Sequence, residues 1–427
     1  MIFAISVLSA LMAIGTPIVF VLGIAATLTL LYATNLPLEL IAHRFFAGLD
    51  NFPVMAIPFF VLAGVIMDVG GLSRRIVDFA TALVGWITGS VLMIAVVAAT
   101  ALAAMSGSGG ADAAAVQSVM TPELRRRRYD LDFAAAMIAT AGTLAAIIPP
   151  SIFMVLICIT NNLSIGALFI SGVIPGLITS VGLMLVVYVH ARRGGPQYRS
   201  TDPFRLDRLG QTFWNAIPAL FMIVIIMGGI LAGLFTPTEA AAVAAAYGLL
   251  VGVFVYRDLR VQDLPMVFNR AIAFSAGILL LIATASIFNF LIAVLHLPAT
   301  ITTWLNATVH EPWTFLLIVN ILLLIIGAFS ESNSMILILS PVLMPIALSY
   351  GIDPIHFALV VVYNLTIGTI TPPFGGTVFV TATIAERPIG AVSAKLLWPW
   401  SVQVVVLFFV TYIPEIGLWL PRITGYL

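Results

Sequence analysis

Residues 90–128 read SVLMIAVVAATALAAMSGSGGADAAAVQSVMTPELRRRR, and the flanks of this stretch decide the fold. Its apolar run, 89–122, lies between Arg74–Arg75 on one side and the four arginines Arg125–Arg128 on the other. Short basic loops stay on the cytoplasmic side of a bacterial membrane, so the run must enter and leave on the same side. In its middle stands Ser106-Gly107-Ser108-Gly109-Gly110, small residues that let a helix stop and turn. The run therefore reads as a re-entrant helical hairpin that opens to the cytoplasm.

The chain around it is equally apolar. Of 427 residues, 61% are hydrophobic and 8% are charged, and the mean hydropathy is +1.15. A soluble domain carries about 25% charged residues, so the composition is that of an all-α integral membrane protein with the lipid bilayer as its solvent. The formal net charge is zero, which offers no basic surface to nucleic acid. A single cysteine, Cys158, excludes an intramolecular disulfide and a thiolate metal cluster. The first apolar run begins at Met1 without a basic leader and is expected to act as its own insertion signal.

Further apolar runs fall at roughly 1–14, 16–34, 53–69, 133–160, 164–190, 212–234, 238–256, 272–294, 313–349, 355–384 and 396–420. The longest hydrophilic interruption, 191–211, carries Arg192, Arg193, Arg199, Arg205 and Arg208. With Arg74–Arg75, Arg125–Arg128, Arg257 with Arg260, and Arg387, it makes five basic clusters that must share the cytoplasmic side. Segment 313–349, broken by Ser330-Glu331-Ser332-Asn333, then reads as a second hairpin entering from the opposite face. Setting both hairpins aside leaves five transmembrane spans before the linker and five after it, with both termini periplasmic. The expected division is a first repeat over 1–190, a cytoplasmic linker over 191–211 and a second repeat over 212–427.

The two halves also match in sequence. Thr16-Pro17 pairs with Thr236-Pro237, Ser106-Gly107-Ser108 with Ser330-Glu331-Ser332, and Pro149-Pro150 with Pro372-Pro373, at offsets of 220, 224 and 223 residues. An odd number of spans per repeat inverts one repeat relative to the other, the plan of many secondary transporters. Each repeat then holds a hairpin and a broken helix, 133–160 in the first and 355–384 in the second. Backbone freed from helical hydrogen bonds survives in hydrocarbon only where it lines a cavity or binds something. The four breaks are Ser106–Gly110, Thr143–Ser151, Ser330–Asn333 and Thr366–Thr377, the last reading TIGTITPPFGGT. Proline removes amide donors and frees upstream carbonyls; with serine and threonine hydroxyls these are hard oxygen ligands suited to Na+. A plainer reading has the prolines and glycines merely kink packed helices, which four breaks in symmetric pairs disfavour.

Asp112 and Glu331 are the charges set deepest in apolar sequence, and intramembrane carboxylates are functional candidates. The alternative for Asp112 is that it caps the second hairpin helix or is protonated and buried. Glu239, three residues after Thr236, has the spacing of a capping box. Asn364 lies one turn before the second Pro-Pro break and serves either the site or helix–helix hydrogen bonding. Stretches 35–50 and 258–270 mix apolar and charged residues and are expected as interfacial amphipathic helices. An intramembrane enzyme would need a nucleophile beside a base. The five histidines lie near span ends, and none neighbours Ser106 or Ser332 in the chain.

Four motifs carry a family resemblance along the whole chain: FPVMAIPFFVLAG at 52–64, SGSGGADAAAV at 106–116, IIPPSI at 147–152 and GTITPPFGGTVFVTATIA at 368–385. The sequence resembles the large membrane subunit of tripartite ATP-independent periplasmic (TRAP) transporters, elevator-type carriers of the ion-transporter superfamily. The resemblance implies a sodium-driven importer in the bacterial inner membrane. A periplasmic binding protein would deliver an organic acid, and a separate small four-span subunit would brace this one. It further implies Na+ between each hairpin tip and its neighbouring break. On this chain that selects Ser106, Gly107, Ser108, Thr143, Ile147 and Pro149 for the first ion, and Ser330, Glu331, Ser332, Thr366, Thr369 and Gly375 for the second. Substrate would lie between the tips, at Ser108, Gly109, Ser332, Asn333 and Thr371. A sodium/organic-anion symporter of the same superfamily that needs no binding protein is the alternative.

Overall fold

The computed structural model of the protein describes residues 2–34, 36–200 and 203–427. Among these residues the secondary structure is helical, without a strand. The chain opens with α1 (Ile2–Ala13), α2 (Ile18–Ala33) and α3 (Glu39–Leu49), then α4 (Ala56–Val69) and α5 (Leu72–Val84). The first hairpin is α6 (Ser90–Ser106) and α7 (Gly109–Arg126). Helices α8 (Leu131–Gly142) and α9 (Ile152–Asn161) flank the first Pro-Pro break, and α10 (Ile165–Arg193) follows. After the linker come α11 (Leu206–Ile223), α12 (Gly229–Leu231), α13 (Pro237–Leu250), α14 (Leu264–Val294) and α15 (Leu297–Thr308). The second hairpin is α16 (Pro312–Phe329) and α17 (Ser332–Ser349); α18 (Pro354–Gly368) and α19 (Gly376–Ala385) flank the second break. The chain closes with α20 (Ile389–Ala394), α21 (Leu397–Tyr412) and α22 (Glu415–Ile423).

Local chemistry sets these boundaries. Asp130 caps α8 by accepting from the Asp132 and Phe133 amides at 3.0 and 3.2 Å. Asp353 does the same for α18, at 2.8 and 3.1 Å. Thr236 and Glu239 form the expected capping box on α13. Each such cap satisfies amide donors that the first helical turn leaves without a partner. At the first hairpin tip, Gly107 takes a left-handed φ of +66°, which glycine adopts without steric cost.

Both hairpins and both broken helices lie where the sequence places them, but the count of ten simple spans is corrected. Among the described residues, seven helices are long and apolar enough to cross a membrane, or eight if the bent pair α21–α22 counts as one. Five of the ten expected spans are of this kind: those around 53–69, 164–190, 212–234, 238–256 and 272–294. The segment at 396–420 turns by 61° between α21 and α22. Helices α1 and α2 hold 12 and 16 residues, short of the ~20 that cross a bilayer. The two Pro-Pro segments divide into shorter helices, and the two arms of the second hairpin, 18 residues or about 27 Å each, are the other two of the seven, each long and apolar enough to cross by itself. Hydropathy counts apolar residues, whereas glycine and proline decide where one axis ends and another begins.

Two further differences concern amphipathic pieces. The stretch 35–50 contains α3, none of whose described residues is buried. The stretch 258–270 is not a separate interfacial helix: after a short 3-10 turn it runs straight into α14. The strongly two-faced helix is α5, which buries Leu72, Ile76, Val77 and Ala80 while Arg74 and Asp78 stay off that face. Its charged residues disguised it as a loop.

The five basic clusters do share one face. Arg75 pairs with Asp258, and Arg74 and Arg208 line the same polar cavity. Arg125 pairs with Glu386 at 2.8 Å and Arg387 with Asp132 at 2.6 Å. The linker ties these groups together, since the Tyr198 carbonyl accepts from the Gly89 amide at 2.7 Å and its hydroxyl from the Asp130 amide at 3.3 Å.

Candidate functional site

Each hairpin presses its tip, backbone to backbone, onto a broken helix. A Cβ added to Gly107 would lie 2.7 Å from the Pro150 carbonyl oxygen. One added to Gly142, at the end of α8, would lie 2.6 Å from the Ala113 Cβ and 2.8 Å from the Gly109 oxygen. In the second half, a Cβ on Gly368 would meet the Gly327 backbone at 2.7 Å, and the Phe374 amide donates to the Ala328 oxygen at 3.1 Å. The small residues of both tips thus permit contacts that larger side chains would hold apart.

All four breaks meet at one cavity of about 200 Å³. The first tip contributes Gly107, Ser108, Gly109 and Gly110, and the second tip Asn333. Thr143, Ala146, Ile152 and Phe153 come from around the first Pro-Pro break, and Thr369 and Thr377 from around the second. Phe274 and Ile278 of α14 close the remaining side. No titratable side chain lines this cavity, so it has no acid or base to offer. It does have oxygen. The Asn333 Oδ1 is buried without a hydrogen-bond partner, while the Asn333 Nδ2 donates to Glu331. Ser108 caps α7 without a side-chain hydrogen bond, so its hydroxyl is free to face a ligand.

The other expected site residues are placed as follows. Glu331 is the N-cap of α17: its carboxylate accepts from the Asn333 amide at 3.1 Å and from the Ser334 amide and hydroxyl at 2.9 and 2.8 Å. The Ser332 hydroxyl donates to the Leu365 oxygen at 2.8 Å, tying the second tip to α18. Thr366 is fully buried and bonds back to the Val362 oxygen at 2.8 Å; Thr369 bonds to the Thr366 oxygen at 2.7 Å. Thr371 donates to the Ile367 oxygen at 2.8 Å and accepts from Trp400 at 3.1 Å. The Ile147 carbonyl faces Gly172 of α10. Ser330, Pro149, Thr371 and Gly375 are not in the cavity wall, although Gly375, at φ +31°, precedes α19 and sets its direction. Asn364 is fully buried and donates to Asn320 at 2.7 Å, away from the cavity.

Ser106 and Asp112 belong to an adjoining cavity of about 280 Å³ between the first hairpin, α4 and α14. Asp112 is not the cap of α7, a place held by Ser108. It is buried, its Oδ2 has no partner, and Asp68 and Arg270 share its cavity. Ser108 and Phe274 line both spaces.

Sequence reasoning missed Phe274, Ile278 and Phe153, while Thr377 lies at the end of the expected second break. Arg270, Phe274 and Ile278 follow one another at four-residue spacing and so share a face of α14. The one available signal was an arginine inside an otherwise apolar helix. Chemically, the main cavity is an uncharged, largely apolar space with a few hydroxyl and amide oxygens in its wall, where helix ends and unwound backbone converge, the kind of place where carriers hold small ions and substrates.

Known proteins agree with this architecture. The family model described as tripartite ATP-independent periplasmic transporter, DctM component, matches residues 5–416. The chain is 41% identical over 405 residues to the C4-dicarboxylate TRAP transporter large permease protein DctM of Pseudomonas aeruginosa, covering 95% of this chain and 94% of that one. It is 39% identical over 403 residues to the isethionate TRAP transporter permease protein DctMQ of Oleidesulfovibrio alaskensis, covering 94% of this chain and 63% of that one. In fold alone it is similar to the YdaH transporter of Alcanivorax borkumensis, with a TM-score of 0.51, 15% identity, and 86% and 88% of the two chains covered. The chain therefore belongs to the DctM-component family of TRAP transporters, as a multi-pass membrane transporter subunit and not an enzyme.

Proposed function

We propose that this subunit carries an organic acid inward across the bacterial inner membrane, driven by sodium. The observation that carries the reading is the meeting of four helix breaks at one uncharged cavity that holds the Ser108 hydroxyl and the Asn333 amide in an otherwise largely apolar wall. In this reading the two halves are inverted repeats, both termini are periplasmic, and the hairpins and broken helices move as an elevator against the remaining helices. The first ion sits near Ser106, Ser108 and Thr143, the second near Asn333, Thr369 and Thr377. Substrate lies between Ser108 and Asn333. Anionic cargo fits the names of the relatives, a C4-dicarboxylate carrier and an isethionate carrier. The family's tripartite description calls for two more components, here a periplasmic binding protein and a small four-span subunit. The longer DctMQ relative, which this chain covers to 63%, accords with a second membrane subunit.

The test is uptake into proteoliposomes that contain this protein, its small subunit and the loaded binding protein. Moving one net charge inward across 100 mV supplies about 2.3 kcal/mol, about 50-fold accumulation. That accumulation should vanish when K+ or choline replaces Na+. Undiminished uptake in choline would overturn sodium coupling. The layout has its own check, motivated by the shared face of the basic clusters. In a Cys158→Ala background, Gln197→Cys should react with an impermeant thiol reagent only from the cytoplasm, and a cysteine appended after Leu427 only from the periplasm. Periplasmic labelling at 197 would end the inverted-repeat reading.

A further inference from the structure

Helix α21 touches both broken helices with side chains one turn apart. Trp400 donates its indole N–H to the Thr371 hydroxyl at 3.1 Å, within the second break. Gln403, fully buried, donates its amide to the Thr143 hydroxyl and approaches the Thr140 oxygen at 3.4 Å, at the entry to the first. Thr371 passes its own proton to the Ile367 oxygen, and Thr143 to the Thr140 oxygen at 2.7 Å, so each hydroxyl is fixed in direction by α21. Residues three apart share a helix face, so a single rigid face contacts both breaks. Beneath it, Ala135, Ala136 and Ala139 of α8 pack against Ile370, Val378, Ala382 and Ala385, and Trp400 covers this small core.

These contacts join the halves at the points where their helices are interrupted. Thr143 lines the cavity directly, and Thr371 stands two residues from Thr369, which also lines it. A rearrangement that draws one break toward a ligand must move α21 or break its hydrogen bond. Movement of α21 is felt at the other break, whereas loss of the bond severs the link. Two sites that bias one shared element are coupled, typically by roughly 5- to 150-fold in affinity.

We propose that Trp400 and Gln403 are positioning residues that couple the two breaks, so that sodium at one favours sodium at the other. The inference rests on the sodium reading above. Neither side chain lines the cavity, so their loss should uncouple the sites rather than remove them. The experiment is the sodium dependence of uptake by the complete three-component system, carried through a full titration for wild type, Gln403→Leu and Trp400→Phe. Trp400→Phe keeps the ring over the alanine core and loses only the N–H, which guards against a folding failure in Gln403→Leu. The wild-type curve should be sigmoidal, with a Hill coefficient near the number of coupled sites, about two. In each variant the coefficient should fall below the wild-type value, toward that of two independent sites that must both be filled, while uptake at saturating sodium stays within about twofold of wild type. A wild-type coefficient retained in both variants would overturn the coupling role, whatever happens to their rates. A sodium-dependent but hyperbolic wild-type curve would overturn it too, leaving sodium-driven transport intact. Loss of sodium dependence altogether would instead remove the transport reading on which the inference rests.

Discussion

Gly107→Ala should lower the initial rate of uptake by about a hundredfold, while Gly110→Ala, three residues further along the same tip, should stay within about twofold of wild type. Gly107 sits at φ +66°, a conformation that costs an L-residue about 1–2 kcal/mol. That strain alone would be tolerable. The larger effect is steric: the new Cβ would lie 2.7 Å from the Pro150 carbonyl oxygen, and that neighbour is backbone rather than a side chain that can swing away. The hairpin tip must then withdraw from the first break, opening the cavity wall. A displacement of about 1 Å at a positioned site costs on the order of a hundredfold in rate. At Gly110 an added Cβ meets nothing within 4 Å, although the residue lines the same cavity. Rates are to be normalised to the amount of protein in the vesicles. A Gly107→Ala protein that keeps half its rate would mean that close contact between tip and break is dispensable.

Much of this architecture was legible from charge and punctuation. Arg74–Arg75 and Arg125–Arg128 lead to the expectation that the intervening run folds back on itself, and the observed α6–α7 hairpin turns between Ser106 and Gly109. The Pro-Pro pairs announced two broken helices, and both breaks fall within the segments expected of them. The candidate site was less legible, because a break in sequence says where backbone is freed and not which way it points. The carbonyl of Ile147 turns to α10, and Glu331 spends its oxygens on the first turn of its own helix. Phe274 and Ile278 had no signal of their own: α14 is apolar all round, and only packing decides which of its faces meets the cavity. Helix α5 was hidden for the opposite reason, since its two-faced pattern is dense in charge and a scan for apolar runs passes over it.

The arrangement also separates residues that hold the site from residues that face it. Ser332 and Thr371 make hydrogen bonds that fix tip, break and α21 relative to one another, and Thr143 does so while also facing the cavity. By contrast, the Asn333 Oδ1 is a buried acceptor with no partner. A buried amide oxygen left unpaired costs about 1–3 kcal/mol, a cost that a bound cation relieves. Ser108 stands on the opposite tip, with its hydroxyl uncommitted to the cap.

The central claim, that these tip oxygens receive the driving ion, is therefore tested by the sodium concentration that gives half-maximal uptake in Ser108→Ala, Asn333→Ala and the double variant. Contacts to a charged group are worth about 1.5–3 kcal/mol each, so each single change should raise that concentration about tenfold and the double change on the order of a hundredfold. Ser340→Ala serves as the control. It removes a fully buried hydroxyl that accepts from Asn161 at 2.8 Å and lies outside the cavity wall, and it should leave the sodium curve where it was. A graded rightward shift in the three site variants, with the control unmoved, is the predicted result. Wild-type sodium midpoints in both single variants and in the double variant would contradict the account.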